Sequence, residues 1–440
     1  MRRRAQPQSI DHRRLCDSNT PIALPSPRCD DRQSFHREIV RWRSLSRRRR
    51  RCCGDVADTK PRIESIAQAS FVKDWQASVF LNPGEKITHI YALDDAIHTY
   101  SNLNFDRAFS PASGELLYAN EVKDPRGSIM GQPVPLSGGR IAYPTNNSIE
   151  VYNLHGRLLQ SVPLGFSATS GACGFGSTVF IGDGGGKIAC VDVSRTYAWI
   201  KWELLTFGVV VSQPVAFQGE IYVASQDGSV RAFNDSHEPG WPLLTDSMFK
   251  TGDKILADVK ADVFGVYFAS TDGRLYCVNR GTGKLKWQYF APAALTTPPF
   301  VTATSVYQFV PGLGLVALDK TQKLVLNTPD NEVVDENPVR MPRWVCPNAT
   351  ALLTEDSQYA YALGTNHLVL ALDLKTGKQA FTSTRTDFVA FGASVKKPEM
   401  YAAGPDGSIY AFHAVTTPGG TGEIVQNDAA VQTPVLAMAK

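Results

Sequence analysis

The sequence has no long apolar run. A helix that crosses a bilayer needs about 18–20 consecutive apolar residues, and stretches such as Leu368–Leu372 and Val209–Val211 stop far short of that. No transmembrane segment is expected. A secretory signal is not expected either, because its apolar region runs to about 7–15 residues and the best candidate, Pro21–Pro25, places only three apolar residues between its prolines. The compartment is left open, with the cytoplasm favoured because neither a signal peptide nor a lipobox is seen. Lysine is scarce at the start: residues 1–66 hold 16 arginines and one lysine against 8 acidic residues, and the rest of the chain carries 28 basic and 34 acidic residues. Among the eight cysteines no CxxC or Cys/His spacing of the zinc-binding kind occurs.

Residues 1–66 have the run Arg47–Arg51 and no periodic apolar pattern, so they cannot bury enough surface to offset the entropy of ordering them. They are expected to form a disordered, Arg-rich extension ahead of a folded region over 67–440. Three roles compete for it. A transit peptide would be Arg- and Ser-rich, but Asp11, Asp17, Asp30, Asp31 and Glu38 oppose that. A basic arm would bind nucleic acid by displacing counterions from phosphates, without sequence readout. The third role is a plain solvated extension.

What the rest of the chain has in abundance is repetition. Gly219–Asn234, Gly265–Asn279 and Glu399–His413 each read as an alternating strand, an Asp-Gly turn and a second alternating strand. Asp-Gly between period-two runs signals a hairpin, here expected to place both turn residues at positive φ. A column of mostly small residues after the turn registers eight units: Ala108, Val151, Cys190, Ala232, Cys277, Ala317, Ala371 and Ala411. Crowding of inner strands near an axis is the expected reason for their size. Two positions on stands mostly Asp or Asn, suited to bonding the backbone of the next turn. A Thr-Gly-Lys turn and an aromatic often follow, as in Thr282–Trp287 and Thr376–Phe381, with Ser113–Tyr118 as a variant.

Four short strands per unit cannot bury their own faces, and units of this kind packed about an axis make a propeller. The fold expected is all-β, an eight-bladed β-propeller of four-stranded antiparallel blades, with seven blades as the alternative. Either Phe71–Val79 or Glu423–Gln426 would complete the last blade, and Val431–Met438 looks like a further first strand.

The pattern at Val266–Trp287 resembles the tryptophan-docking repeat of the pyrroloquinoline-quinone (PQQ) dehydrogenase-like propellers, and the resemblance covers about Ile87 to Val425. It implies eight blades. It also implies two functions. Quinoprotein dehydrogenases of this superfamily hold PQQ with calcium, using a vicinal Cys-Cys ring, a Trp, Glu and Asn on the metal and an Asp base; the chain's one Cys-Cys pair, Cys52-Cys53, lies in the Arg-rich extension. Non-catalytic relatives, such as the propeller lipoprotein that scaffolds outer-membrane β-barrel assembly, bind protein partners. The second is the expectation here: a non-enzymatic interaction platform for a protein partner of unknown identity, with no catalytic, cofactor or metal residues. A PQQ-dependent alcohol or sugar dehydrogenase is the alternative.

The remaining chemistry-bearing residues read as structural. Gly184–Gly186 falls in a hairpin turn, as does His367; His413 falls in the Asx column and Asp94-Asp95 in a loop. An insertion between the sixth and seventh units, about Asp330–Asn348, is the candidate interaction loop, through Arg340, Arg343 and Trp344, residue types favoured at interface centres.

Overall fold

A computed structural model describes residues 68–122, 128–194, 199–241, 248–321, 324–325, 333–334, 339–383, 387–394 and 397–417. Eight four-stranded antiparallel sheets are present, and among the described residues there is no helix. The first strands of neighbouring blades lie against one another, so they line the axis of an eight-bladed β-propeller. The seven-bladed alternative is thereby replaced. The expected Arg-rich extension lies outside the described residues, as do Cys52-Cys53, Glu423–Gln426 and Val431–Met438.

Blades 1 to 7 each take their strands in chain order, blade 6 with a two-stranded hairpin, Leu324–Val325 and Val333–Val334, set between its third and fourth strands. Blade 5 is representative: Lys260–Ala261, Val266–Ser270, Arg274–Val278 and Leu285–Phe290. Blade 8 takes three strands from the C-terminal part, Ala390–Ala393, Glu399–Ala403 and Ser408–Thr417, and its fourth from the N-terminal part, Gln68–Ser78. That strand pairs antiparallel along its whole length, from Gln68 opposite Thr417 to Ser78 opposite Ser408. Of the two closures left open by the sequence, Phe71–Val79 marks the one observed.

The Asp-Gly hairpins form by a different turn from the one expected. Gly228, Gly273 and Gly407 sit at φ +82°, +80° and +85°, while the aspartates before them stay at negative φ. Gly228 N–H donates to Ser225 O at 2.9 Å and Ser225 N–H to Ser229 O at 3.0 Å. This is a type I turn followed by a left-handed glycine. Aspartate suits it because Asp227, Asp272 and Asp406 each accept the N–H two residues on, at 2.8–3.0 Å. The Asx column behaves as read from sequence: Asn153, Asp192, Asn234, Asn279 and Asp373 all accept backbone N–H groups of the following turn.

The small column has another cause than axial crowding. Its residues lie in the third strand, and outside blade 4 each stands, on the same sheet face, between a second-strand and a fourth-strand partner; in blade 4 Trp241 comes before the fourth strand, Met248–Lys250. Cys277 is opposite Tyr267 and Trp287, Ala317 opposite Tyr307 and Trp344, and Ala411 opposite Tyr401 and Trp75. A small residue there lets the two rings converge over it. Ring centroids of the pairs Trp75–Tyr401, Trp202–Phe180, Trp241–Tyr222, Trp287–Tyr267 and Trp344–Tyr307 are 6.0, 5.9, 6.1, 6.0 and 5.6 Å apart. In six blades a one-residue bulge precedes the fourth-strand position, as at Lys286 before Trp287, and bulges of this kind re-aim the next side chain.

Candidate functional site

The indoles tie each blade to the next. Trp75, Trp202, Trp241 and Trp344 donate their N–H groups to Pro111, Asp235, Arg280 and Leu374 carbonyls at 2.8, 2.9, 2.6 and 3.0 Å, all in the turn after the third strand of the following blade. Glycine in that turn is what lets the ring approach. A Cβ on Gly114, Gly283 or Gly377 would stand 2.4–2.6 Å from the docked indole, closer than atoms can come.

This arrangement relocates the candidate interaction loop. The insertion lies inside blade 6, between its third strand Gly314–Asp319 and its fourth strand Trp344–Cys346. Trp344 is the docking aromatic of that blade, 6% exposed. Arg343 pairs with Asp319 at 2.8 Å. Arg340 is 2% exposed, its guanidinium 5.5 Å from the Trp287 ring centroid, and it donates to Lys320 O at 3.0 Å. Arg340, Arg343 and Trp344 are therefore engaged in blade packing and do not form an exposed docking loop. The reason is local: blade 6 lacks the Thr-Gly-Lys turn, so nothing receives Trp287, whose indole N–H has no partner among the described residues. The insertion fills that place. Val339 runs parallel beside Gln288, Arg340 N–H donates to Gln288 O at 2.8 Å, and the guanidinium covers the ring.

Removing that cover has a measurable cost. Arg340→Ala should lower the urea midpoint by the equivalent of about 1–3 kcal/mol, through lost packing and a buried carbonyl left without its donor. Arg343→Ala, acting on a partly exposed pair, should cost under about 1 kcal/mol. Equal effects would show that the Arg340–Trp287 contact does not hold the seam.

Exposed apolar side chains are found elsewhere, along the edge of blade 3. Blade 3's outermost strand, Trp199–Leu205, presents Trp199 at 55% and Leu205 at 66% exposure, with Phe207 at 86% just beyond. Ile200 and, on the outer strand of blade 2, Leu158 and Leu159 are exposed too. Trp199 is the one tryptophan of the described residues that docks on no neighbouring blade and is not covered. Sequence reading missed it because it stands three residues before Trp202, and one aromatic per unit was expected.

Within the ring, a cavity of about 170 Å³ is lined by the first strands and their approaches in blades 2 to 5, including Gln132, Cys173, Gln213, Asp258 and Lys260. Gln213 N–H donates to Asp258 Oδ1 at 2.7 Å and its amide to Ala172 O at 3.0 Å. Among the described residues Asp258 is the one carboxylate in the lining, and no aromatic lines it. Calcium takes about 6–8 oxygen ligands, and PQQ needs a flat face to stack upon, so these residues do not fit that pair. Among the described residues no group of three His, Cys, Asp or Glu side chains could hold a metal ion. Cys173, Cys190, Cys277 and Cys346 are buried free thiols; burial pushes Cys190 up to about 12 and Cys173 and Cys277 higher still, which leaves them unreactive.

A family model described as outer membrane protein assembly factor BamB matches residues 107–289 and, again, 247–387, together more than half of the chain. The chain belongs to the BamB family. Among solved structures, BamB from Moraxella catarrhalis superposes with a TM-score of 0.58 at 15% identity, over 78% of this chain and 97% of that one. The computationally designed Ika8 protein gives 0.54 at 11%, over 78% and 99%, and the C-terminal WD40 domain of Sif2 gives 0.55 at 9%, over 78% and 98%. These likenesses are of fold alone. No curated protein matches in sequence. For a BamB-family propeller the docking rows are the frame, and the outer faces of the blades are the surface on offer; among the described residues no helix is long and apolar enough to cross a membrane.

Proposed function

We propose that this chain is a non-catalytic platform that binds a protein partner, in keeping with the assembly role that the BamB family description names. The observation that carries the reading is the uncovered Trp199, with Ile200, Leu205 and Phe207 also exposed along and just beyond the outermost strand of blade 3, since exposed aromatic and aliphatic side chains on a stiff frame mark interaction sites. The lining of the axial cavity supports the same reading against a PQQ dehydrogenase, for it offers one carboxylate and no stacking face.

A photo-crosslinking residue placed at Trp199 or Phe207, in cells that express the full chain, should capture one protein species that is not captured from the exposed Lys397 of blade 8. Capture with equal yield from all three positions, or from none, would sink the rim as the docking face. Calorimetric titration with PQQ and calcium tests the other side: saturable one-to-one binding would move the protein to alcohol or sugar oxidation.

A further inference from the structure

Blade 1 departs from the docking row, and its departure is polar. Where blades 3, 4, 5, 6 and 8 have tyrosine or phenylalanine, a small residue and tryptophan, blade 1 has His98, Ala108 and Tyr118 in register. Both rings are smaller than the tyrosine and tryptophan that fill blades 5, 6 and 8. His98 is fully buried and Tyr118 nearly so, with ring centroids 6.2 Å apart. Beside them His98 Nδ1 lies 2.9 Å from Asp106 Oδ2, which also accepts the Tyr143 hydroxyl at 2.5 Å.

The same cluster holds four buried polar atoms that have no hydrogen-bond partner among the described residues: His98 Nε2, Asp106 Oδ1, Tyr100 OH and Tyr118 OH. The four residues share one face of the blade 1 sheet, with His98 Nε2 on the far side of the imidazole from Asp106. Burial raises both the Tyr118 and the Tyr100 phenols and the charge of Asp106 adds to it, while the Tyr143 hydroxyl stands close enough to Tyr118 to act on it the other way, as a hydrogen-bond neighbour. The docked indoles donate across the seam to the next blade, whereas Tyr118, against Gly156, keeps its hydroxyl inside. Buried polar atoms of native proteins are almost always paired, with ordered water where protein groups do not reach. A water needs only about 30 Å³ and two to four polar partners, and the smaller rings release space of that order.

We propose that blade 1 encloses a hydration site, in which one or two ordered waters are bound by His98 Nε2, Asp106 Oδ1 and the hydroxyls of Tyr100 and Tyr118. The waters restore the volume and the hydrogen bonds that a tyrosine–tryptophan row provides elsewhere, and they link Asp106 of the third strand to the outer strand. The site is closed to solvent, so exchange of its water requires opening of the blade 1–2 seam.

A crystal structure of the full chain at about 1.8 Å decides the matter. Density at full occupancy, about 2.6–3.2 Å from at least two of the four atoms, is the result expected. Empty space, or the four side chains turned to bond one another, overturns the proposal, as does density contacted only by oxygens at cation distances of about 2.3–2.6 Å. A second measurement uses the double variant H98Y/Y118W, which rebuilds the common row and offers Asp106 a phenol donor. Its melting temperature should rise by several degrees with loss of the density, and a fall would overturn the link between the smaller rings and the site.

Discussion

A chain that begins at Gln68 should fold as the full protein does, while one that begins at Val79 should give no soluble monomeric propeller. The eleven residues between them are the fourth strand of blade 8. Without them Ser408–Thr417 becomes a bare edge, and bare edges of this length pair with other chains. Within that strand, Trp75→Ala should cost about 3–5 kcal/mol, the range for a buried tryptophan cut to alanine. Trp75 is 4% exposed, packs on Tyr401, donates to Pro111 O of blade 1 and presses its ring on Gly114. It thus fastens the last blade to the first. Size-exclusion chromatography with urea denaturation checks both expectations. A soluble monomer from the chain starting at Val79, or a Trp75→Ala loss below 1 kcal/mol, would show that closure resides elsewhere.

The fold should fail abruptly in alkali. Burial pushes the phenols of Tyr91 and Tyr276 up to about 12 and those of Tyr100, Tyr118, Tyr143, Tyr222, Tyr267, Tyr307, Tyr361 and Tyr401 beyond that. Hydrogen bonds to carboxylates add to the effect, as from Tyr307 to Glu355 and from Tyr361 to Asp356, both 2.6 Å. Unfolded tyrosine ionises near 10. A folded value above the unfolded one means that the stability is complete below about pH 10 and is lost as pH rises from there through the folded values. Each buried tyrosine then removes about 1.4 kcal/mol per pH unit, and ten acting together exceed the usual 5–15 kcal/mol of a domain. Tyrosinate absorbance should therefore stay low to about pH 10 and then climb in one step with loss of the β-sheet signal. A gradual climb centred on pH 10 with the sheet intact would contradict the burial of these rings.

The blade count was legible because the third-strand column is tightly constrained: a residue caught between two rings must be small in most copies, and Ala108, Cys190, Ala232, Cys277, Ala317, Ala371 and Ala411 all obey. The cause was not legible, since cross-strand register is needed to see what stands opposite each. Trp344 reads from sequence as a loop residue because the Thr-Gly-Lys marker is missing from blade 6 and some two dozen residues separate it from Asp319, so its spacing does not resemble Thr282–Trp287. Arg340 beside Trp287 left no trace in sequence at all. Its role depends on a turn that is absent from the next blade. The same limit hid half of blade 1: Tyr118 is legible as the aromatic after a Ser-Gly turn, but His98 reads as an ordinary member of an alternating strand, and only register sets it in the same row.

The pairing of Gln68–Ser78 with Ser408–Thr417 also sets an order of events during synthesis. The strand that completes the ring is made first and must wait for its partner while some 330 residues are added, which at about 5–20 residues per second is on the order of 15–70 s. Blades 1 to 7 need nothing from later chain beyond the next blade's docking turn, so they can assemble in sequence as they leave the ribosome. Throughout that interval the waiting strand, with Trp75 in its middle, is a sticky segment with nowhere to go. A nascent propeller of this build is most at risk of joining a neighbour in the last seconds before release, and a chaperone that holds the first strand would serve it better than one that acts on the finished ring.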